Sequence, residues 1–225
     1  MSAICSLVFD CSRPYGPLTG DDTCSVGLKW VSFDAKSSTG YRHGMQLSPL
    51  AGLPDKKHVL SLQLTGLKHE YGWNAVAVVM NQDGGGADAM FGHEPLPHGL
   101  WVYSQFTCPW SDTLLTLVVD PTGSRVDAYV EQVGDDRTVA GTTGAKKRPR
   151  DDDMPYMPED EKRAWSDLGE GLKTRTFDAD WMCKALPHIG VCFSGNLGNR
   201  VEIVKTSQRV IEAIQSDPSS LVVYS

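Results

Sequence analysis

The sequence predicts an all-β sandwich, and three observations lead to this fold class. A β-hairpin is recognisable at 113–133, where two runs of β-forming residues flank the turn 120–123, Asp-Pro-Thr-Gly. Glycine (22 residues) and proline (13 residues) are frequent, as in proteins made of many short strands joined by turns. Further short apolar or alternating runs follow one another along the chain, with turn-forming residues between them. The 225 residues suffice for one full hydrophobic core, so we expect one domain over 1–225.

Strands are predicted before the hairpin wherever β-forming residues alternate in polarity or run continuously. They cover 6–10, 25–33, 44–47, 58–67, 74–80 and 100–106. The strand 58–67 alternates well, so its two faces are expected to differ. Its inward side chains should be Leu60, Leu62 and Leu64, and its outward side chains Val59, Ser61, Gln63 and Thr65.

The two strands of the hairpin are expected at different depths. The returning strand alternates between an apolar face and a wet face. Its apolar side chains are Val126, Ala128 and Val130, and its polar side chains are Arg125, Asp127, Tyr129 and Glu131. The outgoing strand, 114–119, is apolar on both faces apart from Thr116, so it should lie deeper in the sheet. In the turn, Asp120 can bond the backbone two residues on, and Gly123 suits a positive φ.

After the hairpin, an insertion is expected at about 134–175. Its first part, 134–158, has almost nothing to bury and reads as a polar loop. The best predicted helix follows over 159–172, because acidic residues crowd its first turn and Trp165 and Leu168 lie three residues apart. Gly169 and Gly171 should end it.

The polar loop contains the only basic run that suggests a partner. Its members are Lys146, Lys147, Arg148 and Arg150. Such a run is typical of a nuclear-import signal or a small phosphate-binding patch. Three aspartates, 151–153, follow directly, so the simpler interpretation is a solvated loop whose charges neutralise one another. These aspartates could share a Ca²⁺ at an interface, although nothing supplies the remaining oxygens.

The glycine-rich and histidine-rich segments do not form an enzyme motif. The stretch 81–89 follows a strand, as phosphate-binding loops do, but the residues after it cannot begin a helix. His93 and His98 are one residue too far apart for a zinc protease motif, and Pro95 and Pro97 forbid the necessary helix. A nucleophile pair of Cys108 with either histidine has only residue type in its favour.

The cysteines also do not predict a metal site. Cys183, His188 and Cys192 match no standard zinc spacing, and a pair of core cysteines is favoured for them. No convergent set of acid, base and nucleophile is recognisable, so we expect no enzymatic activity. We expect no cofactor and no resident metal.

Charge and composition limit the partners and the location. The net charge of −7 and the pI near 5.3 exclude a surface that binds nucleic acid as a whole. The first sixteen residues have no basic start and a broken apolar run, so they do not resemble a secretory signal. No stretch approaches the roughly 18 apolar residues of a membrane span. Without a secretory signal, the six cysteines favour a reducing compartment.

For the C-terminal segment 188–225, the residue pattern alone does not decide between a helix and strands. Four apolar residues fall near helical spacing, namely Val201, Val204, Ile211 and Ile214. Frequent Val, Ile and Thr favour strands instead, as do the Gly-Asn turn before this stretch and the pair 217–218, Asp-Pro, after it.

A resemblance favours the strands. A glycine turn at 195–199 followed by the β-rich stretch 200–221 resembles the last two strands of the jelly-roll shell domain in capsid proteins of small positive-strand RNA viruses. The resemblance implies a jelly-roll-like antiparallel β-sandwich, here with a short helix in the insertion. It also implies a structural protein that self-associates into a shell, found in a virion or in the host cytoplasm, with nuclear import through the basic run as a further option.

The same resemblance indicates what the contacts would be. Copies would bury aromatic side chains between them, and the candidates are Trp73, Trp101, Trp110 and Tyr156. It allows Ca²⁺ at subunit interfaces, without assigned ligands. The arginine-rich arm with which such proteins often begin is missing, since no basic residue precedes Arg13. Nucleic-acid packaging would therefore depend on the basic run 146–150.

A second resemblance gives a different function. The hairpin 114–130 is also similar to the strand pair of lectin-like sandwiches of the laminin-G and concanavalin type. It implies a module that binds carbohydrate or protein at the loops of one rim. Secretion would normally accompany such a function, and the sequence shows neither a signal peptide nor an Asn-x-Ser/Thr site.

Overall fold

The computed structural model describes residues 3–15, 23–34, 42–47, 49–65, 73–79, 99–104, 113–132, 164–194 and 199–225. Over these ranges the chain forms two β-sheets and one short α-helix. The all-β sandwich is therefore confirmed. The polar loop 134–158, the basic run and the glycine-rich stretch 81–89 lie outside the described residues.

The described strands are numbered in chain order. They are β1 (Ala3–Cys5), β2 (Phe9–Tyr15), β3 (Thr23–Val26), β4 (Trp30–Asp34), β5 (Arg42–Leu47), β6 (Lys57–Thr65), β7 (Trp73–Val79), β8 (Gly99–Ser104), β9 (Thr113–Asp120), β10 (Arg125–Gln132), β11 (Ser166–Asp167), β12 (Leu172–Asp178), β13 (His188–Ser194), β14 (Asn199–Val204) and β15 (Leu221–Tyr224). The helix α1 spans Gln208–Ala213, and short 3₁₀ turns span Asp180–Met182 and Pro218–Ser220.

The larger sheet has the order β11-β12-β10-β9-β6-β14-β4-β3. Strand β15 lies beside the first residues of β6, and β1 lies beside β15; both of these pairings are parallel. The smaller sheet has the order β2-β5-β13-β7-β8 and is antiparallel throughout. Two parallel pairings thus distinguish the larger sheet from the purely antiparallel one that was predicted.

The main hydrophobic core draws on apolar side chains of both sheets. Strand alternation places every second side chain of β6, β9 and β10 in this core, and those of β7 and β13 join them from the smaller sheet. Buried members include Leu60, Leu62, Leu64, Leu115, Leu117, Val126, Ala128, Val130, Val76 and Val191. The predicted inward leucines and the predicted apolar face of β10 are confirmed.

A second apolar layer covers the outer face of the larger sheet. The helix α1 packs there through Val210 onto Val59, Val118 and Tyr129, together with Leu221 of β15. The prediction that the outward faces of β6 and β10 are exposed to water is therefore partly wrong. Val59 and Ser61 are fully buried, and Asp127 and Tyr129 keep only 8% and 9% of their surface exposed. A two-residue period shows which side chains share a face, but it does not show that a distant helix covers that face.

The stretch 25–33, predicted as one strand, is a hairpin. Strands β3 and β4 pair with each other around a turn at 27–29, and Gly27 N–H donates to Trp30 O at 2.8 Å. A Cβ on Gly27 would lie 2.7 Å from Trp30 Cε2, so only glycine lets the indole lie this close. The strand predicted at 6–10 is correct only for its last two residues, since β1 ends at Cys5 and β2 begins at Phe9.

The helix predicted over 159–172 is wrong for the described residues 164–172. Gly169, Glu170 and Gly171 all have positive φ (91°, 47° and 78°), which excludes a right-handed helix. Asp167 Oδ1 accepts a hydrogen bond from Gly169 N–H at 2.7 Å and fixes a turn. Leu168, expected in the core, is 47% exposed.

The described helix instead lies in the C-terminal segment, where β14 and β15 are the strands on either side of it. The helical spacing of Ile211 and Ile214 therefore reports a helix that begins after Ser207. The strand interpretation holds for 199–204 and 221–224 and is wrong for 208–213.

The hairpin of β9 and β10 is confirmed in full register from Asp120↔Arg125 to Thr113↔Gln132. One detail of its turn differs from expectation. The positive φ (48°) belongs to Ser124, while Asp120 Oδ1 accepts a hydrogen bond from Gly123 N–H at 2.7 Å. Among the described residues, no helix is long and apolar enough to cross a membrane.

Candidate functional site

A buried histidine and a buried tyrosine join the start of β6 to β15. His58 is fully buried and Tyr224 is 1% exposed, and their rings stack with centroids 5.9 Å apart. Tyr224 Oη lies 2.8 Å from His58 Nδ1, and Leu53 O lies 2.9 Å from His58 Nε2. A carbonyl can only accept, so Nε2 carries the proton and Nδ1 accepts from the tyrosine hydroxyl. Ala51 N–H donates to the same hydroxyl at 2.8 Å, which satisfies every polar atom of the pair.

Burial sets the protonation of both rings. It lowers the pKa of His58 below 6.5, although the bond to the Leu53 carbonyl and the charge of Asp55 act in the opposite direction. It raises the pKa of Tyr224 to about 12. Both side chains are therefore neutral near pH 7. The pair is built to hold β15 on β6, since its hydrogen bonds are used within the fold.

A chain of hydroxyls ties α1 to the outer face of the larger sheet. Ser61 Oγ lies 2.7 Å from Thr116 Oγ1 and donates to Thr206 Oγ1 at 2.9 Å, and all three residues are buried. Each described bond of Ser61 Oγ goes to another hydroxyl, so it is not placed for activation by a base. The chain fixes the segment that leads into the helix.

A carboxylate on the same face is also engaged within the fold. Asp127 Oδ2 lies 3.0 Å from Arg125 Nη2, and Asp127 Oδ1 accepts from Thr176 Oγ1 at 2.6 Å. Arginine and hydroxyl together balance the charge of a carboxylate that is only 8% exposed. Its role is to pair β10 with β12.

The backbone does not favour a metal site made by Cys183, His188 and Cys192. His188 and Cys192 lie four residues apart on β13, which at about 3.3 Å per residue separates their Cα atoms by about 13 Å. Cys183 lies after a 3₁₀ turn with its side chain exposed, so the prediction of a core cysteine is wrong for this residue. Within the described ranges, no group of three or more His, Cys, Asp or Glu residues could hold a metal.

The short strand β1 forms an open edge of the larger sheet. It pairs with β15 in the register Ala3↔Val222 to Cys5↔Tyr224, and no strand among those described lies on its other side. Ile4 is 77% exposed, the highest value for a large apolar side chain among the described residues. Strand β1 has the sequence Ala-Ile-Cys and carries no charge. Within the described part of the chain, this open edge is thus available to a partner strand, as are the edges at the ends of the two sheet orders.

The predicted contact residues are only partly within the described chain. Trp73 opens β7 opposite Ser194, and Trp101 lies in β8, the last strand of the smaller sheet, opposite Ala77. The side chains of both tryptophans, and the whole of Trp110 and Tyr156, lie outside the described part. The same holds for Lys146, Lys147, Arg148 and Arg150, and for the histidines and cysteine at 93, 98 and 108.

Sequence reasoning missed the histidine–tyrosine pair and the open edge. A signal for the first was present, because alternation places His58 on the same face as Leu60 and Leu62, which were expected inside. Its partner lies 166 residues away and could not be identified from spacing. No protein-family model matches the chain, and no curated protein is significantly similar to it.

Proposed function

We propose that this chain is a structural protein that self-associates into a capsid-like shell. The observation that carries the proposal is the open edge of β1, with an isoleucine that is 77% exposed. A sheet edge presents unpaired backbone groups and is a template for another strand. Proteins that remain monomeric usually block such an edge with lysine, proline, a bulge or a covering segment.

The edge of β1 carries none of the usual side-chain blocks. No charged residue and no proline occurs in the sequence from Ala3 to Phe9. The buried polar groups described above support the same proposal, since His58, Ser61 and Asp127 are engaged in holding strands and helix together. A shell subunit needs a rigid fold and sheet edges that can pair with neighbouring copies. Polar groups bonded within the fold and an open edge at β1 suit that role.

Trp73, Trp101, Trp110 and Tyr156 are the proposed additional contacts between copies, and Ca²⁺ is the proposed ion at such contacts. The basic run 146–150 is the proposed contact with nucleic acid or with an import receptor. Trp101 has the most favourable position for a contact, because β8 ends the smaller sheet.

The proposal is tested by measuring the mass of the purified chain by light scattering over a range of protein concentrations, with and without Ca²⁺ and chelator. We expect particles much heavier than the 24.6 kDa chain at high concentration. If calcium holds the contacts, chelator should dissociate them. A monomer under every condition would contradict self-association, and saturable binding of a glycan panel by that monomer would favour the lectin-like module.

A further inference from the structure

We propose that two copies of this chain pair through the outer edge of β1, with a two-fold axis passing beside Ile4. The inference rests on the proposed self-association and specifies its contact. Three arguments support it. The N–H and C=O of Ile4 point away from β15, the Ile4 side chain lies on the outer face of the sheet, and an identical strand can pair with β1 symmetrically.

The backbone direction is fixed by the pairing with β15. Ser225 N–H donates to Cys5 O at 3.3 Å, so the peptide groups of Cys5 point toward β15. Peptide groups alternate in direction along a strand, and the N–H and C=O of one residue point to the same side. The N–H and C=O of Ile4 therefore point away from β15, into the open edge.

An outward N–H and C=O on one residue suit an antiparallel partner. In such a ladder, two residues directly opposite each other exchange both of their hydrogen bonds, with Cα atoms about 5.5 Å apart. When the partner is a second copy, Ile4 lies opposite the Ile4 of the second copy and the pair is symmetric about a two-fold axis. One residue type thus supplies both donors and both acceptors.

The side chains agree with this pairing. Ile4 is in register with Val223 and, through it, with Val59, so the three side chains share the outer face of the sheet. Val59 and Val223 belong to the apolar layer under α1. Opposed residues of a ladder also share a face. The two isoleucines would therefore meet beside Val223 and continue this apolar layer across the axis.

A second copy fits this edge better than a charged partner does. The strand is apolar and uncharged, so it offers backbone hydrogen bonds and one β-branched side chain. Identical strands satisfy each other in an antiparallel pair, and no further complementarity is needed. We therefore assign the edge to a symmetric dimer within the larger assembly.

The test compares three variants of the full chain by light scattering. In Ile4→Lys, two ammonium groups would face each other across the axis, and the dimerisation constant should weaken at least about tenfold, which is about 1.4 kcal/mol. Ile4→Val keeps a β-branched side chain and should dimerise like the wild type. Leu28→Lys is the matched control, because Leu28 is 76% exposed but lies in the turn between β3 and β4. Equal weakening in Leu28→Lys and Ile4→Lys would overturn the assignment.

Hydrogen exchange on the wild type provides a second measurement that needs no variant. The amide of Ile4 should exchange more slowly as the protein concentration rises, because pairing engages it in a hydrogen bond. If the wild type associates while the Ile4 amide stays unprotected, or while Ile4→Lys associates equally well, the edge is wrong and self-association stands. If the wild type stays monomeric at every concentration, both proposals fail.

Discussion

His58 makes the stability of the fold depend on pH through a single buried ring. Its folded pKa lies below the ordinary value of 6.5 because burial disfavours the charged form. In a protonated ring both nitrogens would be donors, so Nδ1 could no longer accept from the hydroxyl of Tyr224, and the hydroxyl proton would lose its acceptor. The charge of Asp55 favours the protonated ring but is outweighed by burial.

The sign of the effect follows from proton binding. Below pH 6.5 the unfolded chain binds a proton at this position before the folded chain does, so acid favours unfolding. The stabilisation is complete above the unfolded pKa and is lost as the pH falls toward the folded pKa. Urea unfolding between about pH 5 and pH 8 should show this loss. His58→Gln removes the titrating group, so the free energy of unfolding of this variant should fall less as the pH decreases. If it falls as steeply as in the wild type, His58 is not the cause of the pH dependence.

In the β3–β4 turn, the indole of Trp30 occupies the space that a Cβ on Gly27 would need. The indole lies under the guanidinium of Arg200, whose Cζ is 4.5 Å from the ring centroid. Gly27→Ala would push this ring away, and we expect a loss of about 1–3 kcal/mol in the free energy of unfolding. Gly52→Ala is the matched control, since a Cβ there meets nothing within 4 Å and should be neutral or slightly stabilising. Equal effects of the two substitutions would show that the close approach is not what matters.

At the scale of elements, α1 is too short to be stable without its attachments. The helix has six residues, and Ser207 Oγ accepts from Val210 N–H at 3.2 Å while donating to Glu131 Oε2 at 2.8 Å. Arg209 donates to the carbonyl oxygens of Gly169 and Glu170, which fastens the helix to the turn before β12. A longer helix would be stabilised by the cooperative hydrogen bonds of its own backbone. This short helix is stabilised instead by the Ser207 cap, by the hydroxyl chain that ends at Thr206, and by the hydrogen bonds of Arg209.

Removing the cap should therefore weaken the cover of the outer face. Ser207→Ala loses both bonds of its hydroxyl, and we expect a cost of about 1–2 kcal/mol. Ser207→Asn keeps an acceptor for the helix N-terminus and should retain most of the stability. Urea denaturation of the three proteins measures the difference. A Ser207→Ala variant as stable as the wild type would mean that apolar packing and the hydrogen bonds of Arg209 hold the helix in place without the cap.

Elements whose pattern is local could be predicted from the sequence, and elements that depend on distant contacts could not. The hairpin 113–133 and the leucine face of β6 carry their own signals, namely a turn sequence and a two-residue period. The helix predicted over 159–172 is wrong within 164–172 because acidic residues and apolar spacing are weak signals, whereas three successive residues here, Gly169 to Gly171, adopt positive φ. The burial of Tyr129 depends on packing with Val210 of α1, which lies about 80 residues further along the chain.

The candidate site likewise combines a local feature, which the sequence shows, with a distant contact, which it does not. The absence of charge in β1 is visible in the letters Ala-Ile-Cys. That this strand forms an edge depends on β15, which lies at the other end of the described chain. Because β1 carries neither lysine nor proline, its three residues give no local sign of an edge, and the proposed contact role of Ile4 could not be predicted from them.

For the whole molecule, the proposed association has to overcome a net charge of −7 on each copy. The edge of β1 contributes no charge, so bringing two copies together adds repulsion without a compensating ion pair at that contact. Raising the salt concentration from about 0.01 M to about 1 M shortens the screening length from about 30 Å to about 3 Å. The mass measured by light scattering should therefore increase with salt. A mass that falls with salt would indicate contacts made by opposite charges, as the basic run 146–150 could provide.

The position of β15 has a consequence for synthesis. This strand lies between β1 and β6 and supplies the hydroxyl that His58 needs, yet the ribosome makes it more than 160 residues after His58. Until residues 221–224 have emerged, β1 has no described strand to pair with and cannot present a regular edge. The proposed pairing of two copies through β1 therefore has to wait for β15, so we expect neighbouring nascent chains on one messenger not to pair through this edge before residues 221–224 are made.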